Sequence, residues 1–242
     1  MPSGAFCAAI RGAVPDMIRF LKHLPMKSKI LDIHTHHLPL HPEQALFSCC
    51  MKDETSAQFR SARFLSVGIH PWFLSEEDFH FQLNWIDNIV KTDGRVIALG
   101  EGGLDKLCST PYSLQMEAFL SLVKRSENYR LPLLIHAVKY AHEIMELKKR
   151  VCPNQPWIIH GFRGKKELAS GYLQHGFYLS FGEKYQEDAL KAVPDDKLLL
   201  ETDESESDIQ NIYRRAADIR GVSPDKLAAR IQENVCRLFF NR

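Results

Sequence analysis

The residues that could do chemistry in this sequence stand at the ends of apolar runs. The first run closes as Leu31-Asp32-Ile33-His34-Thr35-His36. Alternate side chains of a strand share a face, so His34 and His36 point the same way and make a natural pair of metal ligands. The run 96–100 leads into Glu101, 133–135 into His136, 157–159 into His160, and 198–202 into Asp203. A carboxylate at the end of a buried run is costly to desolvate without a partner. Any one of these groups alone reads as a satisfied core or rim residue. Together, imidazoles and carboxylates punctuate five apolar segments at the end where α/β folds place their sites, and the set reads as a metal centre. A further run closes as His70-Pro71-Trp72, which reads as an active-site wall or substrate contact at His70. His37 and His41 read as loop residues.

These residues need strands to carry them. Runs rich in Val, Ile, Leu and Phe occupy 29–34, 45–50, 64–69, 96–101, 132–136, 156–160, 177–181 and 197–202. They are nearly continuous rather than alternating, as expected of parallel strands buried on both faces. Amphipathic stretches at 75–91, 113–129, 138–150, 164–174 and 184–192 lie between the later ones, and two more follow at 207–219 and 224–240. Ser223-Pro224 is a helix-start pair. The pattern predicts an α/β fold, a (β/α)8 barrel of the TIM type. The first two crossovers are too short for ordinary helices. The barrel is therefore expected to be distorted or degenerate there, with an open doubly wound sheet as the alternative. Residues 1–25 read as an appended extension or a helix over 8–24, and 26–242 as one domain.

Composition narrows the function classes. Hydrophobic residues make up 45% and charged residues 25% of 242, an ordinary globular mixture. No apolar run approaches the roughly 20 residues that span a bilayer, so no membrane role is expected. The formal net charge of +1 lacks the basic excess of a general nucleic-acid binder. The six cysteines form no C-x-x-C pair, and two are adjacent, which suits buried thiols in a reducing, cytoplasmic setting.

Six blocks in order give the sequence a specific resemblance. They are Asp32-Ile33-His34-Thr35-His36, Gly68-Ile69-His70-Pro71, Gly100-Glu101-Gly102-Gly103-Leu104-Asp105, Ile135-His136, His160-Gly161-Phe162-Arg163-Gly164 and Glu201-Thr202-Asp203. From about Lys29 to the C-terminus the chain resembles the TatD family of metal-dependent deoxyribonucleases, within the amidohydrolase-like barrels. The resemblance implies two divalent ions: magnesium by family habit, manganese or zinc by the softness of four imidazoles. It implies that His34 and His36 bind the first ion, with Asp203 at its open side. Glu101 then bridges both ions, and His136 and His160 complete the second site. Asp203 and Glu101 become the catalytic pair, with Asp203 the general base for an attacking water.

The implied activity is phosphodiester hydrolysis, with DNA as a transient partner of a monomeric, cytoplasmic enzyme. The sequence departs from the family in three places. Many members carry H-x-R on the fifth strand, where this chain reads His136-Ala137-Val138; Lys139 and Arg163 are the nearby cations. Glu204, Glu206 and Asp208 follow Glu201-Thr202-Asp203 and would repel a polyanion if they face the site. The connection from the first strand to the Gly68 block is also short. These departures keep two alternatives: a related barrel hydrolase for amides or non-nucleic phosphate esters, and a metal-binding protein with decayed activity. Asp105 reads equally as an outer-shell partner of a ligand or as a turn cap.

Overall fold

The strands form because their residues have nowhere else to go. In the computed structural model, which describes residues 30–241, eight strands run parallel in chain order within one sheet. They are β1 (Asp32–Thr35), β2 (Ala45–Cys49), β3 (Phe64–Val67), β4 (Val96–Asp105), β5 (Leu133–Val138), β6 (Trp157–Ile159), β7 (Tyr178–Phe181) and β8 (Leu198–Leu200). Every residue of β1, β2, β4, β6 and β8 is buried. That is the condition under which parallel ladders and β-branched or Leu-rich runs are stable. The expected extension or helix over residues 1–25 lies outside the described residues.

Sequential strand order excludes the doubly wound alternative, and the ends of the sheet meet. Closure is made by a residue just beyond β8: the Asp203 N–H donates to His34 O at 2.9 Å, and the His36 N–H donates to Asp203 O at 3.1 Å. Thr35 and Asp203 form a parallel bridge. Asp32 reinforces the seam. Its carboxylate accepts from the Thr202 hydroxyl at 2.6 Å, from the Thr202 N–H at 3.0 Å and from the His34 N–H at 3.3 Å. The backbone that closes the barrel therefore belongs to the residues expected to hold metal.

The early crossovers are degenerate, as their length requires. A 3₁₀ turn (Pro42–Gln44) is the only helical piece between β1 and β2, and α1 (Ala57–Ser61), after a 3₁₀ turn at Met51–Asp53, serves β2 to β3. The later crossovers carry α2 (Phe79–Thr92), α3 (Tyr112–Tyr129), α4 (Ala141–Val151), α5 (Lys166–Gln174) and α6 (Glu187–Ala192), and α7 (Ile209–Arg220) and α8 (Pro224–Val235) close the chain. Their apolar stripes pack on the sheet; α2 buries Phe79, Leu83, Ile86 and Ile89. Ser223 caps α8 by accepting from the Lys226 N–H, with Pro224 in the first turn. The expected helix over 224–240 changes at Cys236 into a π-helical turn running to Phe240. Among the described residues no helix is long and apolar enough to cross a membrane.

β4 is the one long strand. Sequence placed its end at Glu101, but it continues to Asp105 and pairs with β5 in the register Gly103–His136. The glycine there is required. At φ +148° a Cβ on Gly103 would stand 2.1 Å from His136 O. This close approach puts Glu101 and Asp105, four residues apart, on either side of His136.

Candidate metal centre

Every residue that sequence singled out as a ligand converges at the C-terminal mouth of the barrel, around Glu101. Its two oxygens face different groups. Oε2 lies 3.3 Å from His34 Nε2 and 3.2 Å from His36 Nε2. Oε1 lies 2.7 Å from His136 Nδ1 and 2.7 Å from His160 Nε2. Asp203 Oδ1 completes the first group at 3.6 Å from His34 Nε2 and 4.0 Å from His36 Nε2. Asp203 itself has φ +58°, a left-handed backbone that costs a non-glycine residue about 1 kcal/mol or more.

The donor set fits divalent ions on the structure's own terms. Both ring nitrogens of His34 are buried and have no hydrogen-bond partner, although Glu101 is close. Buried imidazole nitrogens are rarely left so without a ligand. A tetrahedral ion with bonds of about 2.0–2.1 Å holds its ligand atoms about 3.3–3.4 Å apart. The separations here, 2.7 to 3.6 Å for all but the His36–Asp203 pair, lie around that value. His34, His36 and Asp203 form one cluster able to hold an ion; Glu101 joins His34 and His160 in another and His70 and His136 in a third.

His70 is closer to the centre than a wall residue. Its Nδ1 accepts from the Trp72 N–H at 3.1 Å, so in the neutral ring the proton sits on Nε2. That nitrogen faces Glu101 Oε1 at 3.1 Å and donates to it. In this tautomer His70 is a donor to the Glu101 carboxylate and offers no lone pair toward it. His37, as expected, stays in a loop, 3.4 Å from Glu204.

Two carboxylates outside the expected set stand behind the second group. Asp105 Oδ2 lies 2.9 Å from His136 Nε2, and Glu201 Oε1 lies 3.5 Å from His160 Nδ1. Glu201 is fully buried and accepts from the Gly161 N–H. Its other oxygen has no partner. Glu201 carried no role in the sequence reading; its signal was its place in the same block as Asp203.

Charge follows this asymmetry. Burial pushes Glu101 up, but the His160 imidazolium and the hydrogen bond with His136 outweigh it and hold the carboxyl well below its usual range. Burial and then the nearby His160 charge lower His34 to about 4. Burial also disfavours charge on His160, but Glu101 and Glu201 together hold its pKa well above the usual value. Burial works against charge on His36 too, and Glu101 overcomes it. Burial raises Asp105, but hydrogen bonds from His136, Leu107 and Trp72 hold it low.

A cleft of about 970 Å³ opens over the cluster, walled by Trp72, Phe73 and Leu107 on one side and carrying Lys52, Lys139 and Arg163. A second hollow of about 550 Å³ lies beside it, lined by Glu183, Glu201, Asp203, Glu204 and Glu206. The acidic segment therefore divides. Glu204 Oε1 is 4.0 Å from His36 Nε2 and faces the centre. Asp208 does not: it caps α7, accepting from the Gln210 N–H at 2.8 Å. Among the three cations of the cleft, Arg163 lies 3.7 Å from Asp203 Oδ2.

Known proteins agree with this architecture. The family model for TatD-related DNases matches residues 49–240. The metal-dependent hydrolase YabD of Bacillus subtilis is 27% identical over 201 residues, covering 73% of this chain and 77% of its own. Deoxyribonuclease Tat-D of Schizosaccharomyces pombe is 29% identical over 155 residues, covering 57% and 50%. The crystal structure of the TatD homologue YjjV from Escherichia coli K12 superposes with a TM-score of 0.74 at 18% identity, over 89% of this chain and 99% of that one. With six sequence blocks on the mouth of one barrel and a family match over most of its length, this chain belongs to the TatD family of metal-dependent hydrolases.

Proposed function

We propose that the protein hydrolyses phosphodiester bonds in DNA with two divalent ions at the barrel mouth. The observation that carries this reading is Glu101, whose two oxygens face two separate imidazole pairs. His34, His36 and Asp203 would hold one ion, His136 and His160 the other, and Glu101 both. The ions would supply charge stabilisation at the phosphoryl oxygens and lower the pKa of a water toward neutrality.

The chain's own residues account for the rest. Asp203 is the one carboxylate of the cluster with appreciable exposure to the cleft, 19%, so it can take the proton of an attacking water. His70 donates to Glu101 and fixes the plane of that carboxylate. Trp72 and Phe73 offer an apolar face to a base or other leaving group, and Lys52, Lys139 and Arg163 offer charge to its phosphate. Zinc or manganese suits the four imidazoles better than magnesium.

A second reading, hydrolysis of a smaller non-nucleic phosphate ester or an amide, draws on Glu204, which puts negative charge where a long polyanion would pass. One experiment tests both. Metal-stripped protein is reloaded with manganese or zinc and assayed on single-stranded DNA, double-stranded DNA and an aryl phosphodiester. Metal-dependent cleavage of DNA is expected. Turnover of the aryl ester without cleavage of either DNA would replace the first reading with the second.

A further inference from the structure

We propose that Asp105 is a positioning residue that ties the Trp72 wall of the cleft to His136, so that the wall and the second metal position are set together. This rests on the two-ion reading above. Asp105 is 1% exposed, and every acceptor on it is used. Its Oδ1 accepts from the Leu107 N–H at 2.7 Å. Its Oδ2 accepts from two donors, Trp72 Nε1–H at 2.7 Å and His136 Nε2–H at 2.9 Å. The Asp105 backbone is fixed as well: its N–H donates to Gln115 Oε1 at 2.7 Å, and its carbonyl accepts from Gln115 Nε2 at 3.0 Å.

Two consequences follow from that sharing. Asp105 holds a ring proton on His136 Nε2, so Nδ1, which bonds Glu101 at 2.7 Å in the metal-free protein, is the nitrogen whose lone pair would be freed for an ion. The same oxygen holds the indole of Trp72, whose side is 61% exposed in the cleft. A displacement of Trp72 and a change at His136 therefore act on one atom. Asparagine cannot substitute. Whichever way its amide turns, the NH2 group meets a donor, either the Leu107 N–H or the Trp72–His136 pair. If it meets His136, the imidazole proton is driven to Nδ1, the nitrogen that must be free.

The test is zinc titration of the metal-stripped protein, read by calorimetry and by tryptophan emission. Trp85 and Trp157 are buried away from the cleft, so Trp72→Phe supplies their background. The wild type should bind two zinc ions, with an emission change on filling the second position. Asp105→Asn should weaken one site by about 10–100-fold, leave the other unchanged and lose the emission change. Trp72→Phe should bind both ions at least as tightly as wild type, because it removes a competitor for Oδ2. A purely structural role would weaken both sites in both variants. His136→Ala provides a second check that leaves the Trp72–Asp105 bond intact, and its emission should not respond to zinc. Two equal sites in Asp105→Asn, or a zinc response that survives in His136→Ala, overturns the proposal alone. A wild type that saturates at one ion overturns the two-ion reading and this inference with it.

Discussion

The two sides of the candidate metal centre are built differently. On the β5–β6 side Asp105 bonds His136 at 2.9 Å, and Glu201 stands 3.5 Å from His160 Nδ1 without a hydrogen bond to it. On the β1–β8 side the neighbouring carboxylate, Asp32, is spent on the backbone and hydroxyl of the closing seam. His34 is left with two bare nitrogens. The first side is organised by side chains before any ion arrives, and the second is organised by barrel closure. A carboxylate behind an imidazole raises its basicity and fixes its tautomer. The β5–β6 position should therefore fill first and exchange slowest.

The largest effect should come from removing what the two sides share. Glu101→Ala takes away the carboxylate whose two oxygens face the two groups. It should abolish stoichiometric binding of both ions, a larger loss than the roughly 10–100-fold of an outer-shell change, as elemental analysis after dialysis would show. If one ion stays bound, the sides are more independent than their geometry says.

Asp203→Asn should come next. Closure uses the Asp203 backbone, so the barrel should stay intact while the base is lost. The rate should fall about 10²–10⁴-fold, with most of the metal retained. Steady-state kinetics beside metal analysis would separate the two, and an active variant would remove Asp203 as the base.

Asp32→Ala probes the seam directly. It strands buried donors on Thr202, each costing about 1–3 kcal/mol. Thermal unfolding should drop accordingly. Zinc affinity should fall on the β1–β8 side only, so equal loss on both sides would count against the comparison.

Acidity should distinguish the sides in the metal-free protein. His34, lowered to about 4, makes stability rise with pH from about 4 to the unfolded histidine value near 6.5. His160 and His36 are raised, so their contribution is complete below about 6.5 and is lost as pH climbs through their folded values. Burial raises Asp32 to about 7, so its contribution falls with pH over the window in which that of His34 rises, and the two offset each other. The melting temperature of stripped protein should stay nearly level from about pH 4 to 6.5 and fall above it. Zinc competes with protons for the same nitrogens and should move that fall to higher pH. An unchanged profile would mean that zinc sits elsewhere.

The smallest effects belong to the rim. Glu204→Gln should lower KM for DNA at low salt, and the gain should shrink as salt screens it. Asp208→Ala should leave KM alone and cost about 0.5–2 kcal/mol as a lost helix cap. Identical kinetics in wild type and Glu204→Gln would show that this charge does not meet the substrate.

The strands, their parallel burial and the polar residue types at their ends were readable along the chain, because hydrophobic periodicity and terminal polar residues are local signals. His34, His36, Glu101, His136, His160 and Asp203 were all legible that way, as was the need for degenerate early crossovers. Three things were not. The extension of β4 to Asp105 depends on pairing with β5, which no run of residues reports. Asp105 was expected as a partner of a ligand or as a turn cap and is both, but which imidazole nitrogen it or Glu201 meets is a question of orientation across strands. The separation of Glu204 from Asp208 depends on where α7 begins, because a helix cap turns one acid away from a mouth that another faces. Local pattern fixes what a residue can do, and only the closed barrel decides which atoms meet.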